Sequence, residues 1–154
     1  MKKKNIALAF SMGARHLEQV VRGIRKYVSE YHCPWRLITN PESHKLDLRE
    51  LKQSQVDGII AMIRSTEDEK LAQELKVPII NISGVLEKSS FPQVCSDSYL
   101  IGKKGAEYLR SRGFRNFAFY GIKNTAYSNE MHKGFQSVNS ETQLLELSSG
   151  ANFM

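Results

Sequence analysis

"VCSDSYLIGKKGAEYLRSRGFRNFAFYG", residues 94–121, places a strand end, an aspartate, a helical repeat and a second strand one after another. Leu100, Ile101, Ala106, Tyr108 and Leu109 recur at helical spacing, with Asp97 just ahead of them as a helix cap. Gly113 follows the last periodic residue, where a left-handed stop is expected. "NFAFYG" (116–121) then reads as a strand closed by glycine, and the polar "IKNTAY" (122–127) as its loop. Two strands joined by a helix, not by a tight turn, lie parallel, because a parallel pair needs a crossover of this length.

The same alternation extends in both directions. Upstream, "NIALAF" (5–10) is a buried strand, and Leu17–Tyr31 is a helix carrying Val20, Val21, Ile24, Tyr27 and Val28. "WRLITN" (35–40) is a strand, "LDLRELKQSQ" (46–55) a short helix with Leu48 and Leu51 on one face, and "DGIIAMI" (57–63) a strand. "STEDEKLAQELK" (65–76) opens on Ser65 or Thr66 as an N-cap with acidic residues in its first turn. "VPIINIS" (77–83) is a strand that tolerates Pro78 at its start, and "PQVCSD" (92–97) a further short one. Downstream, "YSNEMHKGFQSV" (127–138) is a helix and "TQLLELS" (142–148) a last strand. The pattern predicts an α/β fold, a doubly wound parallel sheet of flavodoxin-like order with helices on both faces. Residues 1–140 read as one lobe, and 141–154 as the last strand with an irregular tail.

Composition bounds what such a sheet can do. The chain has 154 residues, 41% hydrophobic and 25% charged, the profile of an ordinary globular domain. "MKKKNIALAF" mimics the charged start of a secretory leader, but its apolar run, Ile6 to Phe10, falls short of the roughly 7–15 residues of a leader's core. No run approaches the roughly 18 apolar residues of a membrane span. A cytoplasmic protein without membrane contact is expected, with Cys33 and Cys95 as reduced thiols, since the pair has no metal-type spacing. The net charge of +6 gathers at Lys2–Lys4, Lys103, Lys104, Arg110, Arg112 and Arg115. Arg110 and Arg112 sit at a helix C-terminus, where cations complement the dipole, so direct DNA binding is not expected of them.

Motifs remove most chemistry. "SMGARH" (11–16) has one glycine where a dinucleotide fold needs three, and no P-loop or nucleophile-elbow string occurs. A phosphoacceptor domain would want acidic residues there, and the loop holds Arg15 and His16. His16, His32, His44 and His132 are scattered, without a partner at metal spacing. The chain is therefore not expected to be an enzyme, and neither cofactor nor metal is expected.

In an open α/β sheet, ligands bind beyond the carboxyl ends of the strands. Those ends carry Ser11, Arg15 and His16, then Arg64, Ser83, Asp97, Asn124 and Tyr127, a polar and non-reactive set. Asp97 and Arg64 could bond hydroxyls and Tyr127 could pack on a ring, as a small polyol requires. Asp97 as a mere helix cap is an equal and compatible reading.

On these residues the chain resembles a known family. The stretch 94–121 is similar to the strand, Asp, helix, strand segment in the effector domains of bacterial sugar-responsive transcription regulators related to the lactose and galactose repressors. Within that group it resembles xylose operon regulatory proteins, whose sensor domain opens the chain as "NIALAFSMGARHLEQVVRGIRKYV" (5–28) does. The resemblance covers residues 5–138 and implies a type I periplasmic-binding-protein-like lobe. It further implies a sugar effector, xylose by its resemblance to the xylose regulators, with Ser11, Arg15 and His16 in the first loop of the sugar cleft. Asp97 would be the family carboxylate and Tyr127 an aromatic of the last loop. Met131, counted back from Phe135, stands where the family carries an arginine that reaches the ligand. The resemblance also implies a homodimer, or a heterodimer with a full-length regulator, and DNA contact only through a domain outside this chain. A closing cleft needs both lobes, so one lobe alone is expected to hold sugar weakly.

Overall fold

The computed structural model describes residues 2–11, 14–39, 47–140 and 143–147. The chain divides into two compact units, residues 1–83 with 89–94, and residues 84–88 with 95–154.

The first unit is a four-stranded parallel sheet. Its strands are β1 (Lys4–Ala9), β2 (Trp35–Ile38), β3 (Gly58–Ala61) and β4 (Ile79–Asn81), in the order β2-β1-β3-β4. Ile6 lies opposite Leu37 on one side and Gly58 on the other, so β1 is an interior strand. That position explains its unbroken apolar run, since an interior parallel strand is covered on both faces. Helix α1 (Arg15–Glu30) returns over the sheet, and Leu17 and Val21 bury against Leu8 and Phe10. Val20, Ile24, Ile60, Met62 and Ile82 pack around that cluster. Each large side chain so buried contributes about 1.5–3 kcal/mol. Helix α2 (Thr66–Glu74) starts at Ser65, whose Oγ accepts the Asp68 N–H at 3.0 Å, as the sequence led one to expect.

The second unit holds α3 (Ser98–Ser111), β5 (Ala118–Ile122), α4 (Ala126–Gln136) and β6 (Gln143–Leu147). β5 and β6 pair in parallel with Phe119 opposite Leu144. Phe135 of α4 packs edge-on against Phe117, with ring centroids 5.2 Å apart, and lies 5.5 Å from Phe119. α3 ends in the double-bonded left-handed cap that Gly113 predicts. Gly113 has φ +88° and donates to the Arg110 carbonyl, while Phe114 N–H donates to Leu109.

Three expectations are corrected. Among the described residues the strands form two sheets, not one, and β5 pairs with β6 alone. The expected strand at 92–97 would have extended the first sheet, but it shrinks to one bridge between Asn81 and Gln93. Asn81 donates to the Pro92 carbonyl and accepts from Val94 N–H. Pro92 has no N–H to extend that ladder, and Gln93–Asp97 lie exposed, without the two-sided burial of a parallel strand. The helix expected over 46–55 is a single 3-10 turn, Glu50–Gln53, although Leu48 and Leu51 do bury together. Asp47 Oδ1 accepts the Arg49 N–H at 2.9 Å, a local bond that competes with helix initiation. Residue 46 of that helix, the end of the strand at 35–40, His44 and the tail at 148–154 lie outside the described residues.

Candidate functional site

In the first unit the carboxyl ends of β1, β3 and β4 lie side by side. Met62 N–H donates to the Ala9 carbonyl at 3.2 Å, and Ile82 N–H to the Ala61 carbonyl at 2.8 Å. Beyond them stand Ser11, Arg64 and Ser83, so sheet order brings three of the expected residues to one edge. Arg15 and His16 form the exposed first turn of α1, after residues 12 and 13, which are outside the described set. Arg15 also opens a shallow hollow of about 500 Å³ along α1, shared with Glu18, Arg22 and Arg25.

Arg64 is exposed, and its backbone N–H donates to Asp68 Oδ2 at 3.2 Å. Ser83 differs from the expectation of an open rim residue, for it is 1% exposed. Its carbonyl accepts from the Gln93 side-chain amide. Between these two loops lies Asn81, fully buried at the end of β4. Asn81 Oδ1 accepts from Ile63 N–H at 3.1 Å and Ser83 N–H at 2.8 Å, and Nδ2 donates to Ser89 Oγ at 3.4 Å. Sequence reading passed over Asn81, though an amide inside the apolar run "IINI" was a signal that a buried polar group must be satisfied.

In the second unit, Asp97 caps α3: its Oδ1 accepts the Leu100 N–H at 2.8 Å. The cap uses one oxygen, so a hydroxyl could still be accepted by the other. Asn124 is exposed at φ +60°, a left-handed position that asparagine tolerates, in the turn after β5. Tyr127 is half-buried in the first turn of α4, where its N–H donates to the Gly84 carbonyl and the Ala126 N–H to Val85. Those two carbonyls satisfy helix-terminal donors that no side chain caps. Ser128 and Thr125, both buried, hold the turn from below: Ser128 Oγ accepts from Ile122 N–H, and Thr125 Oγ1 donates to the Ile122 carbonyl. Met131 is half-buried in α4, with its backbone carbonyl against α3.

Among the described residues no cluster of three or more His, Cys, Asp or Glu side chains could hold a metal ion. Cys33 and Cys95 are free thiols. Arg110 lies in the last turn of α3, as the dipole argument requires. Among the described residues no helix is long and apolar enough to cross a membrane.

Ser11, Arg64 and Ser83 thus stand at one edge of the first sheet, beyond the carboxyl ends of β1, β3 and β4. Comparison with known proteins gives the chain a family. The model of the XylR N-terminal domain matches residues 5–100, more than half of the chain. The chain belongs to the XylR N-terminal domain family. It is 28% identical over 123 residues to the xylose operon regulatory protein of Haemophilus influenzae, and 26% identical over 125 residues to that of Escherichia coli K12. Those alignments take in 77% and 79% of this chain but 31% and 32% of the relatives, so the chain spans about a third of their length. In structure it is similar to the xylose-binding transcription activator XylR, with a TM-score of 0.75 at 20% identity over 96% of this chain and 39% of that one. A periplasmic binding protein/LacI transcriptional regulator from Alkaliphilus metalliredigens, solved with D-xylulofuranose, matches with a TM-score of 0.70 at 18% identity, over 99% of this chain and 59% of that one. The expected α/β fold with parallel strands, of the periplasmic-binding-protein-like kind, is thereby borne out.

Proposed function

We propose that this chain is the effector-sensing part of a bacterial transcription regulator of carbohydrate metabolism, that its effector is a sugar, and that the sugar is xylose. The observation that carries the reading is the family match over residues 5–100, which spans the whole polar edge of the first sheet. The names of the curated relatives, all xylose operon regulators, support the choice of sugar. Arg64 supplies fork donors for hydroxyls and Asp97 a carboxylate oxygen. Ser11, Arg15, His16, Ser83 and Asn124 supply further polar groups, and Tyr127 an aromatic face. Because Ser83 is buried, its part is played by backbone placement more than by its hydroxyl. The work is binding and not catalysis, and it takes place in the cytoplasm.

The separate β5-β6 sheet supports reading residues from about 95 onward as the opening of a second lobe. The test is thermal melting followed by circular dichroism with D-xylose, D-ribose or D-glucose. A rise with D-xylose alone supports the reading, because a ligand at about 100 times its Kd stabilises the native state by about 2.7 kcal/mol. An unchanged melt with all three sugars overturns it.

A second reading, pairing with a full-length regulator, is favoured by the exposure of four large apolar side chains on α3, Tyr99, Leu100, Ile101 and Tyr108. Native mass spectrometry of a mixture with such a regulator should then show a heterodimer. Unmixed species alone would exclude this second reading.

A further inference from the structure

We propose that Asn81 is a positioning residue of the effector rim, holding the backbones that carry Arg64 and Ser83 without itself touching ligand. This rests on the reading of that rim as the sugar-recognition surface. β3 ends at Ala61 and β4 at Asn81, so the N–H groups of Ile63 and Ser83 lie past the last rungs of the ladder. Ile63 is wholly buried and Ser83 nearly so, which leaves no water to take those donors. The Asn81 amide oxygen accepts both, at 3.1 and 2.8 Å, and so continues the sheet with a side chain where the two strands part. Two N–H donors converging on one atom require an acceptor, which settles the orientation of the amide.

The other end of the same amide extends the lock. Nδ2 donates to Ser89 Oγ, which also accepts the Phe91 N–H at 3.3 Å, so the returning segment 89–91 joins the two loops. Asparagine alone combines an acceptor for two N–H groups with a donor for Ser89 in a neutral side chain of this size. Aspartate keeps the acceptor but loses the donor, and alanine loses both. Arg64 follows Ile63 directly and Ser83 is itself one of the two anchored residues, so any shift in Asn81 is carried into the rim.

The experiment compares the full chain with Asn81→Ala and Asn81→Asp by residue-resolved hydrogen exchange and by D-xylose titration. In Asn81→Ala the amides of Ile63 and Ser83 should lose protection about tenfold or more while Leu8 and Ile59 keep theirs, the mark of local and not global opening. Xylose affinity should fall in step. Asn81→Asp should keep both amides protected and restore most of the affinity. Unchanged protection of Ile63 and Ser83 in Asn81→Ala overturns the proposal, as does unchanged affinity with both amides exposed. Should Asn81→Ala fail to fold, Asn81→Ser, whose shorter hydroxyl reaches fewer donors, is measured in the same way. Selective exposure at either amide supports the proposal, and uniform loss across β1 and β3 overturns it. A wild-type chain that takes no sugar defeats the effector reading, whereas the exchange pattern still judges whether Asn81 holds the two loops.

Discussion

A Cβ added to Gly102 of α3 would stand 1.9 Å from the backbone carbonyl oxygen of Met131 in α4. The relation is mutual along the helix pair, since a Cβ on Gly134 of α4 would stand 1.9 Å from the Tyr99 carbonyl oxygen of α3. Backbone meets backbone at this crossing, and neither carbonyl can swing aside as a flexible side chain could. Gly102→Ala or Gly134→Ala should therefore push the helices apart and destabilise the second unit by about 3 kcal/mol, the upper part of the overpacking range. Gly23 is the control: it lies mid-helix in α1 with nothing within 4 Å of the added Cβ. Gly23→Ala should stabilise by about 0.5–1 kcal/mol through helix propensity alone. Urea unfolding of the three variants checks the signs, and a neutral Gly102→Ala would refute the close crossing.

Asp97 serves two readings that a pair of substitutions can separate. Asp97→Ala removes the acceptor for the Leu100 N–H and should cost about 1 kcal/mol. Asp97→Asn keeps a capping oxygen and should leave stability within about 0.5 kcal/mol of the wild type. If the carboxylate also meets a sugar hydroxyl, Asp97→Asn should still weaken xylose binding, because a neutral acceptor bonds less strongly than a charged one. Equal affinity in the wild type and Asp97→Asn would leave Asp97 as a cap alone.

How much of this was legible in the sequence depends on how local the deciding chemistry is. Ser65, Asp97 and Gly113 were readable because a cap is settled by residues three or four positions away. The strand–helix alternation was readable for the same reason, and it carried the α/β assignment. The loss of the strand at 92–97 was not, because it turns on whether those residues find a ladder partner along β4. Pro92 and the early exposure of Val94 leave them with one bridge. The segment 46–55 carried only a weak helical repeat, and its described part makes one 3-10 turn, Glu50–Gln53, behind the local Asp47–Arg49 bond. The rim residues were placed by strand ends, and the rule found Arg64 as an open side chain while missing that Ser83 is enclosed. Asn81 was missed because its two acceptor bonds join loops that only the folded sheet brings together.

Lys133 gives a titration with a defined sign. Its ammonium donates to Glu130 Oε1 at 2.6 Å, and this bond, with the charge of Glu130 and a smaller pull from Glu87, raises the lysine above its ordinary value. A group raised on folding lends its stability at pH below the unfolded value, about 10.4, and loses it as pH climbs through the folded one. The pair is exposed, so the effect on unfolding should be lost in screening. NMR titration of the Lys133 side chain should show the midpoint drop in Glu130→Gln, while the melt hardly moves. An unmoved midpoint would show that the ion pair does not form in solution.

Ser128 offers the sharpest test of how the turn after β5 is held. Its buried hydroxyl accepts the Ile122 N–H at 2.8 Å, and Thr125 closes the turn from the other side by donating to the Ile122 carbonyl at 2.9 Å. Gly121 is matched to this arrangement, because a Cβ there would approach Ser128 Oγ to 2.7 Å. Ser128→Ala leaves a part-buried N–H without this acceptor and should destabilise by about 1 kcal/mol. Exposed Asn124 sits inside that turn and Tyr127 follows it; if the two line the proposed sugar rim, loosening the turn should lower sugar affinity as well, without either side chain being changed. Hydrogen exchange at Ile122 separates the two effects. Loss of protection there with β6 still paired would show that the turn opens locally, whereas an unchanged Ile122 amide would mean that Thr125 and the strand pairing hold it alone.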